Sequence, residues 1–176
     1  MRRLRNILLA VLLGVLAWKG WRYWREHRFD SIIAQAAKRY GMDPALIRAV
    51  VWRESDFDPD ARGRAGELGL MQIRHAAAME WAAAEHVAGF KGDDCLDPLT
   101  NVLAGTWYLR RMVRHYGQAD NPLPFGLAEY NAGRRNVLKW LTGGDPTNSA
   151  VFMDQIGFPG TRAYVRAILE RYDQSR

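Results

Sequence analysis

Asp43-Pro44-Ala45-Leu46-Ile47-Arg48-Ala49-Val50-Val51-Trp52-Arg53-Glu54-Ser55 reads as a helix that ends on a carboxylate where an apolar side chain is due. Asp43 suits the cap of the free first-turn amides, and Pro44 suits the first helical position. Leu46, Ile47, Val50 and Val51 then recur on one face of a 3.6-residue period. At 100° per residue, Glu54 lies about 20° from Ile47 and about 40° from Val50 around the axis. A carboxylate on the core side of a helix is costly unless it is paired or neutral. Burial raises its pKa and makes it a candidate proton donor near neutral pH. The plain alternative is a Glu neutralised by an Arg, or a helix end that bends outward.

Working outward, the chain reads as helix after helix. Apolar spacing predicts a helix over 31–40 closed by Gly41, then the Asp43 helix, then a polar loop over 56–66. Short helices are expected over 69–75 and 76–88. Asp97-Pro98 opens the longest helix of the body, which runs to about Gly117. Pro122 and Pro124 introduce one through Tyr130, and others follow over 135–141, 149–155 and 161–172. No segment alternates with period two for long. The expectation is an all-α domain of small helices around one core.

The net charge of +6 sits in the N-terminal tail. Residues 1–29 hold seven Lys/Arg against Glu26 alone, and residues 30–176 hold 18 of each sign. A basic tail on a neutral body argues against a phosphate-binding surface, so no nucleic-acid partner is expected. Arg2, Arg3 and Arg5 precede twelve uncharged residues, Ile7 to Trp18. As a helix these span about 18 Å against a hydrocarbon core of about 30 Å. That suits a signal peptide cut after Ala17, or an uncleaved anchor lengthened by an interfacial belt of Trp18, Trp21, Tyr23 and Trp24. Three regions follow: a signal anchor or signal peptide over 1–18, a basic aromatic connector over 19–29, and a domain over 30–176. Either tail reading keeps the arginines cytoplasmic and exports the domain. It stays on the inner membrane facing the periplasm, or is released there if the tail is cut. Cys95 is the lone cysteine, and the four histidines show no paired ligand spacing. Neither a metal nor another cofactor is expected.

Four segments then fall in order: Glu54-Ser55-Asp56-Phe57; Gly69-Leu70-Met71-Gln72; Asp97-Pro98-Leu99-Thr100-Asn101 with Gly105 and Tyr108-Leu109; and Tyr130-Asn131-Ala132-Gly133. A fifth, Ile156 to Val165, precedes the last helix. Together they resemble the lysozyme-like lytic transglycosylases of family 1, soluble type, over roughly residues 30–172. The resemblance implies cleavage of the β-1,4 bond between N-acetylmuramic acid and N-acetylglucosamine in peptidoglycan, without water, leaving a 1,6-anhydromuramyl end. Glu54 matches the family's catalytic acid, which gives a proton to the leaving oxygen and then takes one from the C6 hydroxyl. Ser55, Met71, Gln72, Tyr130 and Asn131 match substrate-binding positions. Leu70, Met71 and Tyr130 are expected as apolar walls, the Tyr130 hydroxyl as the donor to Glu54, and Trp52, Phe57 and Trp81 as aromatic platforms. Asn101 is expected to bond within its own first turn. The implied partners are glycan strands and, through the tail, the membrane; the chain is expected to act as a monomer. Arg74, His75, Ala77, Ala78, Glu129 and Gly160 depart from the family pattern. A second acid at Glu129, Asp56 or Asp58 would suit a muramidase-type hydrolase; Glu129 lies 100° from Tyr130 on a helix and is expected to point away. A non-catalytic peptidoglycan-binding scaffold is the remaining alternative.

Overall fold

The computed structural model describes residues 2–175. Helix α1 (Arg2–His27) has none of its residues buried and meets the body through its last turns. The body begins with α2 (Asp30–Tyr40), which Gly41 closes in the left-handed region at φ 62°. In α3 (Pro44–Ser55), Asp43 caps the start by accepting from the Ala45 amide at 2.8 Å. The other Asp43 carboxylate oxygen accepts from the Tyr172 hydroxyl at 2.9 Å, so the cap also ties α3 to the last helix.

Residues 69–75 do not form the expected helix. A two-stranded antiparallel ribbon stands there instead: β1 (Glu67–Leu68) pairs with β2 (Ile73–Arg74), in register Glu67 with Arg74 and Leu68 with Ile73. Gly66 (φ 83°) and Gly69 (φ 71°) make the reversals on which it depends. Helix α4 (His75–Ala84) follows, then a 3₁₀ turn over Gly92–Leu96. The longest body helix is α5 (Pro98–Arg114), capped by Asp97 on the Thr100 amide. After it come α6 (Leu123–Ala132), α7 (Arg134–Trp140), α8 (Ser149–Gln155) and α9 (Pro159–Gln174).

Helix α5 runs through the middle, against α2, α4 and α6, while α9 closes over α3 and α6. The core between them is built from Ile47, Val50, Val102, Leu109, Phe125, Leu127, Val165 and Ile168, all at most 0 % exposed. Phe125 stacks between Tyr116 and Phe152, with ring centroids 5.2 and 4.2 Å away. The body is thus all-α with a small ribbon. Its layout brings the C-terminal ends of α3 and α6, the ribbon and one face of α9 to a single groove.

Candidate active site

Glu54 ends the apolar stripe of α3 and lies half-buried in a cleft of about 320 Å³. Glu67, Gln72, Arg74, Tyr108, Glu129, Tyr130, Asn131 and Gly133 share that cleft with it. A second, more open hollow of about 540 Å³ shares Glu54 and Gln72 with it and is also lined by Trp52, Arg53, Ser55, Asp56 and Arg62. The carboxyl therefore borders both hollows. Loss of water around Glu54 pushes its pKa up to about 7, with the Glu67 charge adding to the rise. The Tyr164 hydroxyl and the Arg53 charge act in the opposite direction but do not win.

The hydroxyl that reaches Glu54 comes from α9. Tyr164 donates to Oε1 at 2.6 Å, and the Arg53 guanidinium lies over the Tyr164 ring at 5.4 Å. Tyr130, the expected donor, gives its proton to the Met71 carbonyl at 2.8 Å. Its ring meets that of Tyr108 edge-on at 5.8 Å and walls the cleft. Burial holds both tyrosines, Tyr130 and Tyr164, well above the usual phenol range, so both stay donors. Tyr164 escaped sequence reasoning because it lies 110 residues from Glu54 and reads as one of the apolar positions of its helix.

The other expected residues divide between groove and scaffold. Gln72 adopts φ 47° and spends its amide protons on the Ala61 and Gly69 carbonyls, at 3.1 and 2.9 Å. Its oxygen is what it can offer a ligand. Asn131 is the converse: it lines the cleft with its Oδ1 accepting from Thr161 at 2.8 Å, so its amide protons are what it can offer a ligand. Ser55 has one hydroxyl proton, which goes to the Leu70 carbonyl at 2.9 Å or to that of Val51 at 3.2 Å. It fastens the end of α3 and can serve a ligand only as an acceptor.

Met71 was expected to touch substrate, but its side chain is 0 % exposed and packs on α5. An added Cβ at Gly105 would sit 2.6 Å from the Met71 sulfur, which is why α5 carries glycine there. Phe57 and Trp81 are likewise core residues, Trp81 donating to the Tyr40 hydroxyl at 2.9 Å. Of the three expected platforms only Trp52 borders the groove. Asn101 is fully buried and bonds away from its own turn. It accepts from the Met71 amide and donates to the Leu68 and Cys95 carbonyls, each at 2.7 Å.

Glu129 borders the cleft but is sealed, its side chain only 2 % exposed. His115 Nδ1 lies 3.0 Å from Oε1, the Tyr116 hydroxyl donates to Oε2, and Arg134 approaches at 3.6 Å. Both oxygens are occupied, which leaves neither to activate a water.

With this geometry in place, comparison with known proteins is informative. The model of the family described as the transglycosylase SLT domain matches residues 31–150. An inactive mutant of the lytic transglycosylase Slt from Pseudomonas aeruginosa is similar at 28% identity and TM-score 0.73, over 82% of this chain and 24% of that one. The 70 kDa soluble lytic transglycosylase of Escherichia coli gives 28% and 0.73, over 82% and 23%. A complex of the 70-kDa soluble lytic transglycosylase with bulgecin A gives 26% and 0.73, over 85% and 24%. The chain spans about a quarter of the length of these structures. The ribbon, the Glu54 helix, the Asp97 helix and the Tyr130 segment all fall inside the matched residues, and the chain belongs to the transglycosylase SLT domain family, with its all-α lysozyme-like fold.

Proposed function

We propose that the protein is a membrane-anchored peptidoglycan lytic transglycosylase. It cleaves the β-1,4 bond between N-acetylmuramic acid and N-acetylglucosamine and leaves a 1,6-anhydromuramyl end. The observation that carries this reading is Glu54: one carboxyl with its pKa raised to about 7, held by Tyr164 and bordering both hollows. A group poised at that pKa serves equally as acid and as base. Tyr164 occupies Oε1, so Oε2 is the oxygen that carries the proton.

In the first half-reaction the bond from the muramyl C1 to the glycosidic oxygen breaks, and Glu54 Oε2 gives its proton to that oxygen. Positive charge develops at C1 while Glu54 becomes a carboxylate. The C6 hydroxyl of the same sugar then attacks C1, and its proton returns to Glu54. One proton leaves and one comes back, so no second carboxylate is needed. A hydrolase would need one to activate water; Glu129 is sealed, Asp56 is paired with Arg25, and Asp58 lines neither hollow, which speaks against it. Gln72 as acceptor and Asn131 as donor suit hydroxyl and N-acetyl groups without adding charge beside the acid, and Tyr130 and Trp52 offer ring faces.

Helix α1 is the proposed anchor. Its residues 2–21, before the turns that meet the domain, extend about 30 Å, enough for a hydrocarbon core of about 30 Å. Leu4, Ile7, Leu8, Val11, Leu12 and Leu16 are all exposed, and no described residue buries them. The arginines at its start support a cytoplasmic start and a periplasmic domain. The test is mass spectrometry of fragments released from purified peptidoglycan by the full chain in detergent. Anhydro ends, one water lighter than reducing ends, support the reading; reducing ends alone refute it.

A further inference from the structure

The turn that ends the Glu54 helix is strained and is held from outside the domain. Asp56 (φ 49°) and Phe57 (φ 64°) are consecutive non-glycine residues in the left-handed region, where side chains other than glycine are rarely found. The Phe57 ring is locked in the core, but its carbonyl and the Asp56 carboxylate are gripped by the end of α1. Arg25 pairs with the Asp56 carboxylate at 3.0 Å, and Arg28 donates to the Phe57 carbonyl at 2.7 Å. Each guanidinium also rests on an aromatic ring of the α1 region: Arg25 on Trp21 at 5.2 Å, and Arg28 on Trp24 at 5.0 Å. These contacts reduce the rotamer freedom that a long side chain loses on pairing.

A third contact comes from the other side. Glu26 pairs with Arg171 of α9 at 2.9 Å, and the Arg171 guanidinium lies over the Trp52 ring at 4.6 Å. Residues 25–28 therefore touch both flanks of Glu54: directly at the Asp56 carboxylate and the Phe57 carbonyl, and through Arg171 at the Trp52 ring. Helix α1 crosses the expected boundary at 18/19 without a break, so the same rigid rod that enters the membrane reaches this turn.

We propose that Arg25 and Arg28 are positioning residues for Glu54, and that the membrane-proximal end of α1 is a structural part of the active site rather than a passive tether. The proposal rests on Glu54 being the acid of the reaction above. The α1 clasp sets the direction in which α3 ends and so the pose of the carboxyl in the groove. A chain cut within α1 but keeping residues 20–29 would retain the clasp; one cut after Phe29 would lose it.

The test uses the full chain in detergent micelles, as wild type and as Arg25→Ala/Arg28→Ala, Arg28→Ala and Arg28→Lys. Two readouts separate the clasp from the reaction. The first is amide exchange at Asp56 and Asp58, which donate to the Trp52 and Ser55 carbonyls at 2.9 and 3.1 Å. Exchange should be at least tenfold faster in both alanine variants and near wild type in Arg28→Lys, since lysine supplies the single donor that the Phe57 carbonyl needs. The second is turnover of solubilised glycan strands. Here kcat should fall at least fivefold in the alanine variants with KM within twofold, and Arg28→Lys should recover most of it. Wild-type exchange in the double variant, or a raised KM at unchanged kcat, would overturn the proposal. A wild-type chain that releases no anhydro product would refute the transglycosylase reading instead, and the exchange data would still decide the clasp. Should the double variant unfold, the single variant carries the comparison.

Discussion

At Glu54, ionisation and folding oppose each other. Its folded pKa, about 7, lies above the ordinary 4.5. Between those values the native chain keeps a proton that the unfolded chain has lost. Stability therefore falls as pH rises from about 4.5 to about 7, by at most about 3 kcal/mol, less what residual solvent screens. Glu54→Gln removes that cost. Calorimetry should show the variant gaining a few degrees in Tm over wild type at pH 8 and little at pH 5; an equal difference at both would contradict the assignment. The same titration predicts that kcat/KM declines with pH above about 7, as the free enzyme loses its acidic proton. In Tyr164→Phe the bond that favours the carboxylate is gone, so that decline should move to higher pH while kcat drops by roughly tenfold or more. Glu54 was legible because the arithmetic of one helix points it at the core. Tyr164 was not, since a tyrosine in an apolar stripe looks the same whether or not its hydroxyl meets an acid across 110 residues. Met71, Phe57 and Trp81 failed as sugar contacts for a related reason: spacing shows that a residue is near the site, not which way it faces.

Among the elements, the helices with chemical punctuation were readable. Asp43-Pro44, Asp97-Pro98 and Gly41 mark ends through caps and fixed dihedrals that act within a few residues. The ribbon was not readable. Its strands are two residues long, and its shape is imposed by Asn101, which takes three backbone groups of the 68–71 and 95 segments onto one buried amide. Replacing Asn101 with Ala leaves those buried groups without partners, and each costs about 1–3 kcal/mol. A chemical-denaturation midpoint should fall by the equivalent of about 3 kcal/mol or more, and cell-wall solubilisation should fall with it as Gln72 loosens. A variant as stable as wild type would show that the ribbon holds its own shape. Gly105→Ala tests the same layer from the helix side. The new methyl collides with the Met71 sulfur, and overpacking of this kind costs about 1–3 kcal/mol.

For the molecule as a whole, charge was legible and continuity was not. The excess of positive charge in residues 1–29 located the tail on sight. The charged, aromatic composition of residues 19–29 suggested a connector, yet α1 runs on through it to His27, and the ion pairs of Arg25 and Glu26 seat its last turns on the domain. The anchor reading predicts that the full chain stays with membranes through alkaline carbonate extraction, whereas a peripheral protein would be released. The proposed function joins anchor, groove and acid in a single reaction in which the sugar's own hydroxyl closes the ring. The measurement that tests this most directly is mass spectrometry of the glycan fragments that the full chain and its Glu54→Gln variant release from purified peptidoglycan. The account predicts 1,6-anhydromuramyl ends from the wild type and no fragments from the variant. Reducing ends from the wild type, or release by the variant at the wild-type rate, would contradict it.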